Sequence, residues 1–265
     1  FDKTIIQNGL LLEFNATGRQ NTEDNPAHWE YGDIKATFDN VGWSSIDGWY
    51  IRPGEEQTVL RLLPGSTMNI PFKPFESNIT STGYTIEVEL ATQYVSDYDS
   101  IIMESFSGGR GLLIKSQSAQ MNSTGSTISA QFKEDEKVRL TFVVEQFTAN
   151  RLVTIYINGV SCGIQQYPQN DDFSHPNGLA RGLTIGAESC GIDIYFIRFY
   201  KVAFSSTEQL NNFMVDRPTL AERIMKDKAN AIINENAEAL NKKITINSLK
   251  GSIPYIIMEC PELPQ

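Results

Sequence analysis

Histidine and cysteine are scarce in this chain, and most metal and nucleophile chemistry is scarce with them. Its 265 residues include 2 histidines, His28 and His175, and 3 cysteines, Cys162, Cys190 and Cys260. None of these stands at a metal-ligand spacing such as C-x-x-C, so no zinc site is readable. An odd, sparse cysteine set is no disulfide framework. Cys162 and Cys190 can pair only if their strands are neighbours. No apolar run reaches the ~18–20 residues that a membrane-spanning helix needs. Positive charge is also in short supply, with 22 Lys and Arg against 32 Asp and Glu and a net charge of −10. Such a surface repels phosphate backbones and anionic lipid, which argues against nucleic-acid and membrane partners. No signal peptide is legible ahead of Phe1, which reads as a processed chain or a piece of a longer one.

What is present is a globular composition, 40% hydrophobic and 20% charged, in which wholesale disorder is not expected. Strand-like runs recur between turn signals. Tyr84-Thr85-Ile86-Glu87-Val88-Glu89-Leu90 alternates, with Tyr84, Ile86, Val88 and Leu90 on one face and Thr85, Glu87 and Glu89 on the other. That predicts a half-buried antiparallel strand. Asn158-Gly159 follows Val153 to Ile157 and predicts a two-residue hairpin, because both positions tolerate positive φ. In Gly191 to Tyr200, alternation places Ile192, Ile194 and Phe196 on one face of a strand that is apolar on both sides. Arg198 inside that strand needs a carboxylate, carbonyls or solvent. No convincing helical period occurs before residue 205.

Many strands without intervening helices require antiparallel sheets packed face to face, or a barrel. The expected class is all-β, an antiparallel two-sheet sandwich of jelly-roll type over residues 1–204, with its core at about 40–204. Residues 15–45 and 161–181 read as long polar loops, the usual seats of binding residues on a rigid scaffold. Ser205-Ser206-Thr207-Glu208 is a capping box that opens a short helix to about Met214. Thr219 and Glu222 form a second box, so 205–240 reads as a helical extension. Residues 241–265, with short β-like runs, read as the start of a further region.

The order Tyr156-Ile157-Asn158-Gly159, Leu183-Thr184-Ile185-Gly186, Asp193-Ile194-Tyr195-Phe196-Ile197-Arg198-Phe199-Tyr200 and Phe204-Ser205-Ser206-Thr207-Glu208 resembles the concanavalin A-like lectin/glucanase superfamily, in its laminin-G-like branch. The likeness covers about residues 40–213. The tail is similar to linkers in multidomain tail proteins of tailed bacteriophages, on Lys250 to Ile257 and Pro261 to Pro264. The resemblance implies a lectin-like module of a larger extracellular or virion-surface protein, with calcium as a known accessory of the fold. The glucanase branch uses an E-x-D-x-E pattern whose two glutamates flank the scissile bond roughly 5 Å apart. The nearest counterpart here is Glu87-Val88-Glu89, with no Asp between the acids and Ala91-Thr92-Gln93 after them. Catalysis is therefore not expected.

Sugar recognition combines aromatic faces with polar groups for the hydroxyls. The candidates are Trp43, Trp49, Tyr50, Tyr94, Tyr98 and Arg110. For Trp43 and Trp49 the alternative is a hydrophobic plug over the sandwich edge. For calcium, which needs several oxygen ligands, the clusters to inspect are Asp97 with Asp99, and Asn170 with Asp171 and Asp172. The expected partners are a glycan or a surface protein, plus other subunits or domains of the parent assembly through residues 215–265. A purely structural role in a phage tail or capsid is the main rival.

Overall fold

The computed structural model describes residues 4–71, 83–106, 110–123, 126–147, 150–168 and 183–217. The strands in chain order are β1 Leu10–Asn15, β2 Glu30–Tyr31, β3 Ile34–Lys35, β4 Thr37–Asp39, β5 Gly48–Ile51 and β6 Thr58–Leu62. They continue with β7 Thr67–Ile70, β8 Tyr84–Gln93, β9 Ile101–Phe106, β10 Arg110–Lys115, β11 Ser118–Ser123 and β12 Ser126–Gln131. The last are β13 Val138–Gln146, β14 Asn150–Ile157, β15 Val160–Pro168, β16 Leu183–Ile185 and β17 Gly191–Tyr200, followed by helix α1, Ser206–Val215.

Two antiparallel sheets carry the fold. The first runs β15-β14-β13-β8-β17-β6-β5, with β1 beside β17, and the second runs β12-β11-β10-β9-β16-β7-β4. β17 is long enough to take two partners on one edge. β6 pairs with Ile192–Ile194 and β1 with Phe196–Tyr200. The core between the sheets joins Ile86, Val88, Leu90, Leu140, Phe142, Ile192 and Ile197 to Met68, Ile70, Leu112, Ile114, Met121 and Ile185, all essentially dry. Each such side chain contributes about 1.5–3 kcal/mol through removal from water. The all-β sandwich with a helix after it is what the patterning predicted.

Two local predictions meet their chemistry. The Asn158-Gly159 turn has φ of 50° and 82° and joins β14 to β15. Ser205 caps α1, its Oγ accepting from Glu208 N at 3.2 Å while Glu208 Oε2 accepts from Ser205 N at 2.8 Å. The strand order around Tyr195, however, breaks the simple alternation. A bulge lies between Ile194 and Phe196 where β17 meets β8. Tyr195 and Phe196 therefore both face outward, packed with Val59 and Ala91. Ile197 and Phe199 take the inner face in place of Phe196. A bulge adds a residue to one strand and so inverts every later side chain.

β8 also departs from expectation. Its polar face is not solvated, because Thr85 and Glu87 are fully buried and Glu89 is 2% exposed. The residues that cover this outer face include Asn212 of α1 and Arg139 of β13. The chain divides into two compact units, Phe1–Phe213 and Met214–Gln265. Of the second, residues 214–217 are described. The helix expected from Thr219 and the short strands expected at 244–246 and 253–258 lie outside the described residues.

Candidate functional site

The outer face of the first sheet holds a chain of buried ions. Glu89 accepts from Arg139 Nε at 2.9 Å and forms an ion pair with Lys137 Nζ at 2.9 Å. Glu87 accepts from Asn212 Nδ2 at 3.0 Å and lies 3.8 Å from Arg198. Arg198 also donates to Glu13 at 2.9 Å, so the carboxylate it required comes from β1 and β8. Phe196, turned outward by the bulge, lies between the Arg139 and Arg198 guanidiniums at 4.5 and 4.1 Å. Both glutamates of the Glu87-Val88-Glu89 run are therefore spent on arginines, as structural counter-ions.

Further along the same face, Asp193 accepts from Arg61 Nε and Nη2, each at 2.7 Å, a bidentate fork. Arg52 reaches Asp193 at 3.2 Å and Glu55 at 3.2 Å, and it also pairs with Asp135. The Tyr195 hydroxyl donates to Glu55. Burial works against the Arg61 charge, but the hydrogen bond and the charge of Asp193 outweigh it and hold the guanidinium above its usual value. Burial pushes the Tyr195 phenol up, so it stays a neutral donor.

Of these groups, Arg52, Glu55, Arg61 and Asp135 line a cleft of about 500 Å³. β5 and its following turn supply Tyr50, Arg52 and Glu55, and β6 supplies Arg61. The end of β8 supplies Gln93 and Tyr94, and the turn before β13 supplies Asp135 and Lys137. Arg61 stacks on the Tyr50 ring at 3.5 Å. Tyr94 is 62% exposed at the rim. The cleft thus unites two of the predicted tyrosines with charged residues that no local motif had marked. Their only advance signal was a buried-strand context for Arg61 and Asp193, in runs otherwise apolar.

The tryptophans sit elsewhere. Trp49 is buried at 5% exposure and donates from its indole to Pro26 O at 2.8 Å. It contacts Trp29 edge-on at 5.1 Å and Trp43 at 5.8 Å, and Arg19 covers its ring at 4.3 Å. No face of Trp49 is open for stacking a sugar; the ring seals the sandwich edge. Trp43 is half-buried against Phe38. The loop that carries them is tied by Asp47, which accepts from Gly42 N, Ser44 N and Ser44 Oγ. Burial acts to raise the Asp47 carboxyl, but these hydrogen bonds outweigh it and hold it below the usual carboxylate range.

Tyr98 is exposed beside Asp97 and Asp99, outside the cleft. Asp99 pairs with Lys115 at 2.9 Å, and Asp97 Oδ1 accepts from Asp99 N at 3.0 Å. Among the described residues no three His, Cys, Asp or Glu side chains gather as a metal ion requires. Arg110 opens β10, and its side chain lies outside the described set, as do Asn170, Asp171 and Asp172. Cys162 is exposed on β15 and Cys190 is buried before β17; both are free thiols rather than a pair. Burial pushes the Cys190 thiol up to about 11, which leaves it inert.

No family model matches the chain, and no curated protein matches it. Solved structures do. The binding domain of botulinum neurotoxin DC, in complex with rat synaptotagmin II, is similar at TM-score 0.52 and 13% identity over 77% of this chain and 51% of that chain. The receptor-binding domain of botulinum neurotoxin type G is similar at TM-score 0.50 and 10% identity over 78% and 51%. Botulinum neurotoxin type C, whose cell entry depends on two ganglioside molecules, is similar at TM-score 0.51 and 13% identity over 77% and 50%. At these identities the likeness is one of fold, and this chain spans about half the length of the chains it matches.

Proposed function

We propose that this chain is a non-catalytic recognition module of a larger surface protein, and that its outer-face cleft docks a glycan or a receptor protein. One observation carries the reading. The acids of the sheet face are locked into arginine pairs, whereas the cleft beside them offers an exposed Tyr94, a partly exposed Lys137 and an Asp135 carboxylate that is 76% exposed. A site that orients polar groups around an aromatic rim suits binding, and nothing in it pairs a nucleophile with a base. The shared fold with toxin domains that engage synaptotagmin or gangliosides supports the same class of role.

The test is multivalent display of the 265-residue chain on a glycan array and on intact cells, beside the Tyr94→Ala variant. Binding that the variant loses is expected. Uniform absence of binding to glycans and cells would sink the reading, as would β-glucan hydrolysis lost in a folded Glu87→Gln variant.

The finer reading places the module on an extracellular or virion surface, with a tailed-bacteriophage particle as the parent assembly. Its support is the tail resemblance at Lys250 to Ile257, outside the described residues. Peptides of this chain in purified particles, and antibody access to them on intact particles, would test it.

A further inference from the structure

We infer that the cleft between Tyr50 and Tyr94 takes an uncharged sugar ring, with Tyr94 as its stacking face and Asp135, Gln93 and Lys137 as partners of its hydroxyls. This deepens the recognition reading and rests on it.

Charge decides the ligand class. The cleft's cations are Arg52, Arg61 and Lys137, and each already holds a carboxylate. Arg61 is held by Asp193, Arg52 by Asp193, Glu55 and Asp135, and Lys137 by Glu89. With Arg139, which also holds Glu89, four cations answer the four carboxylates Glu55, Glu89, Asp135 and Asp193, and every cation of the cleft is already engaged. A sialylated or sulfated ligand would have to draw a cation out of an existing pair and would meet the exposed Asp135 carboxylate, in a chain of net charge −10. Like-charge juxtaposition disfavours such a partner. A neutral polyol needs only donors and acceptors, and these are present. Asp135 bonds Arg52 and remains 76% exposed. Gln93 gives its amide N–H to Asp193 at 2.9 Å, which fixes its orientation and leaves its carbonyl oxygen as an acceptor. Lys137 is anchored between Glu89 and Gln57, so it holds its place without a ligand.

The backbone points to the same spot. Tyr94 and Asp135 have φ of 54° and 62°, in the left-handed region. Non-glycine residues adopt this region rarely and at a cost, and such positions cluster where geometry serves a ligand. The two strained turns are tied together, Asp135 N donating to Thr92 O at 2.7 Å and Val95 N to Glu134 Oε1 at 3.0 Å. The Tyr94 ring is set against a glycine, because a Cβ at Gly191 would lie 3.2 Å from its Cδ2. The ring is thus both positioned and 62% exposed, the condition of a stacking platform. The volume of about 500 Å³ falls within the ~300–1,000 Å³ of small-ligand sites.

The experiment is NMR titration of the 265-residue chain with lactose, cellobiose and maltose as neutral probes, and with sialyllactose and glucuronic acid as anionic ones. At least one neutral probe is expected to bind with a Kd on the order of millimolar, as a small rim-stacked ligand should. Tyr94→Ala is expected to weaken it about tenfold, and Asp135→Asn several-fold. Val160→Ser, on an exposed β15 position, is expected to leave it unchanged. Thermal melts of each variant separate lost binding from lost folding. Tighter binding of sialyllactose than of lactose would overturn the neutral-ligand inference and leave the recognition reading intact. Neutral binding indifferent to both cleft variants would overturn the site. Cell-surface binding with no response to any sugar would overturn the sugar class and leave a protein receptor; no binding of any kind would remove the recognition reading itself.

Discussion

A carboxylate in a strand has no fixed meaning until its neighbours are known, and Glu89 shows how large the difference is. It is almost dry and faces Arg139, which is fully buried. Removing one member of a buried pair costs about 3–5 kcal/mol, because the partner charge keeps its burial and loses its counter-ion. Glu89→Ala is therefore expected to lower unfolding stability by about that amount, measured by urea denaturation. A loss below about 1 kcal/mol would mean the pair is solvent-screened, as surface pairs are. Asp47 offers a pH test. Its folded carboxyl titrates below the ordinary value, so its contribution is present above about pH 4 and is lost as pH falls through the lowered value. Asp47→Ala is expected to flatten that limb of the melting temperature against pH. Among residues the sequence had marked, Tyr50 and Tyr94 join one site. Trp49 does not, since aromatic clusters near a glycine turn look alike whether they plug an edge or line a groove.

At the scale of elements, turn chemistry was the most legible feature. Asn-Gly and Ser-x-x-Glu act over four residues or fewer, so their outcome is independent of distant contacts. Gly159 adds a tertiary demand. At φ of 82°, a Cβ there would also meet Phe213 Cδ1 at 2.9 Å. Gly159→Ala is expected to destabilise the domain by about 1–3 kcal/mol, seen as a lower denaturation midpoint with an unchanged slope. An unaltered midpoint would show that the hairpin and the Phe213 ring both yield. The bulge at Tyr195 was not legible. Nothing in Asp193-Ile194-Tyr195-Phe196-Ile197 distinguishes alternation from a one-residue slip, because apolar residues occupy both phases. The register with β8 and the coverage of the outer face choose between them.

For the whole molecule, the compact unit ends at Phe213, and its helix contributes Asn212 to the outer-face network through Glu87 and Tyr200. A fragment of residues 1–217 is therefore expected to unfold in one cooperative transition with a sandwich-type circular dichroism spectrum. A broad, non-cooperative melt would show that the sandwich depends on the residues after 217. Period-two patterning, hairpin glycines and a helix cap are set by forces that act between near neighbours, and they suffice to specify an all-β chain with a helix after it. The cleft belongs to a different order of contact. Arg52, Arg61, Gln93 and Asp135 meet only once β6, β8, β17 and the turn before β13 have adopted their registers. Which charges lie buried, and hence which remain to meet a ligand, follows from sheet pairing over long separations, where one bulge changes the answer for every residue beyond it.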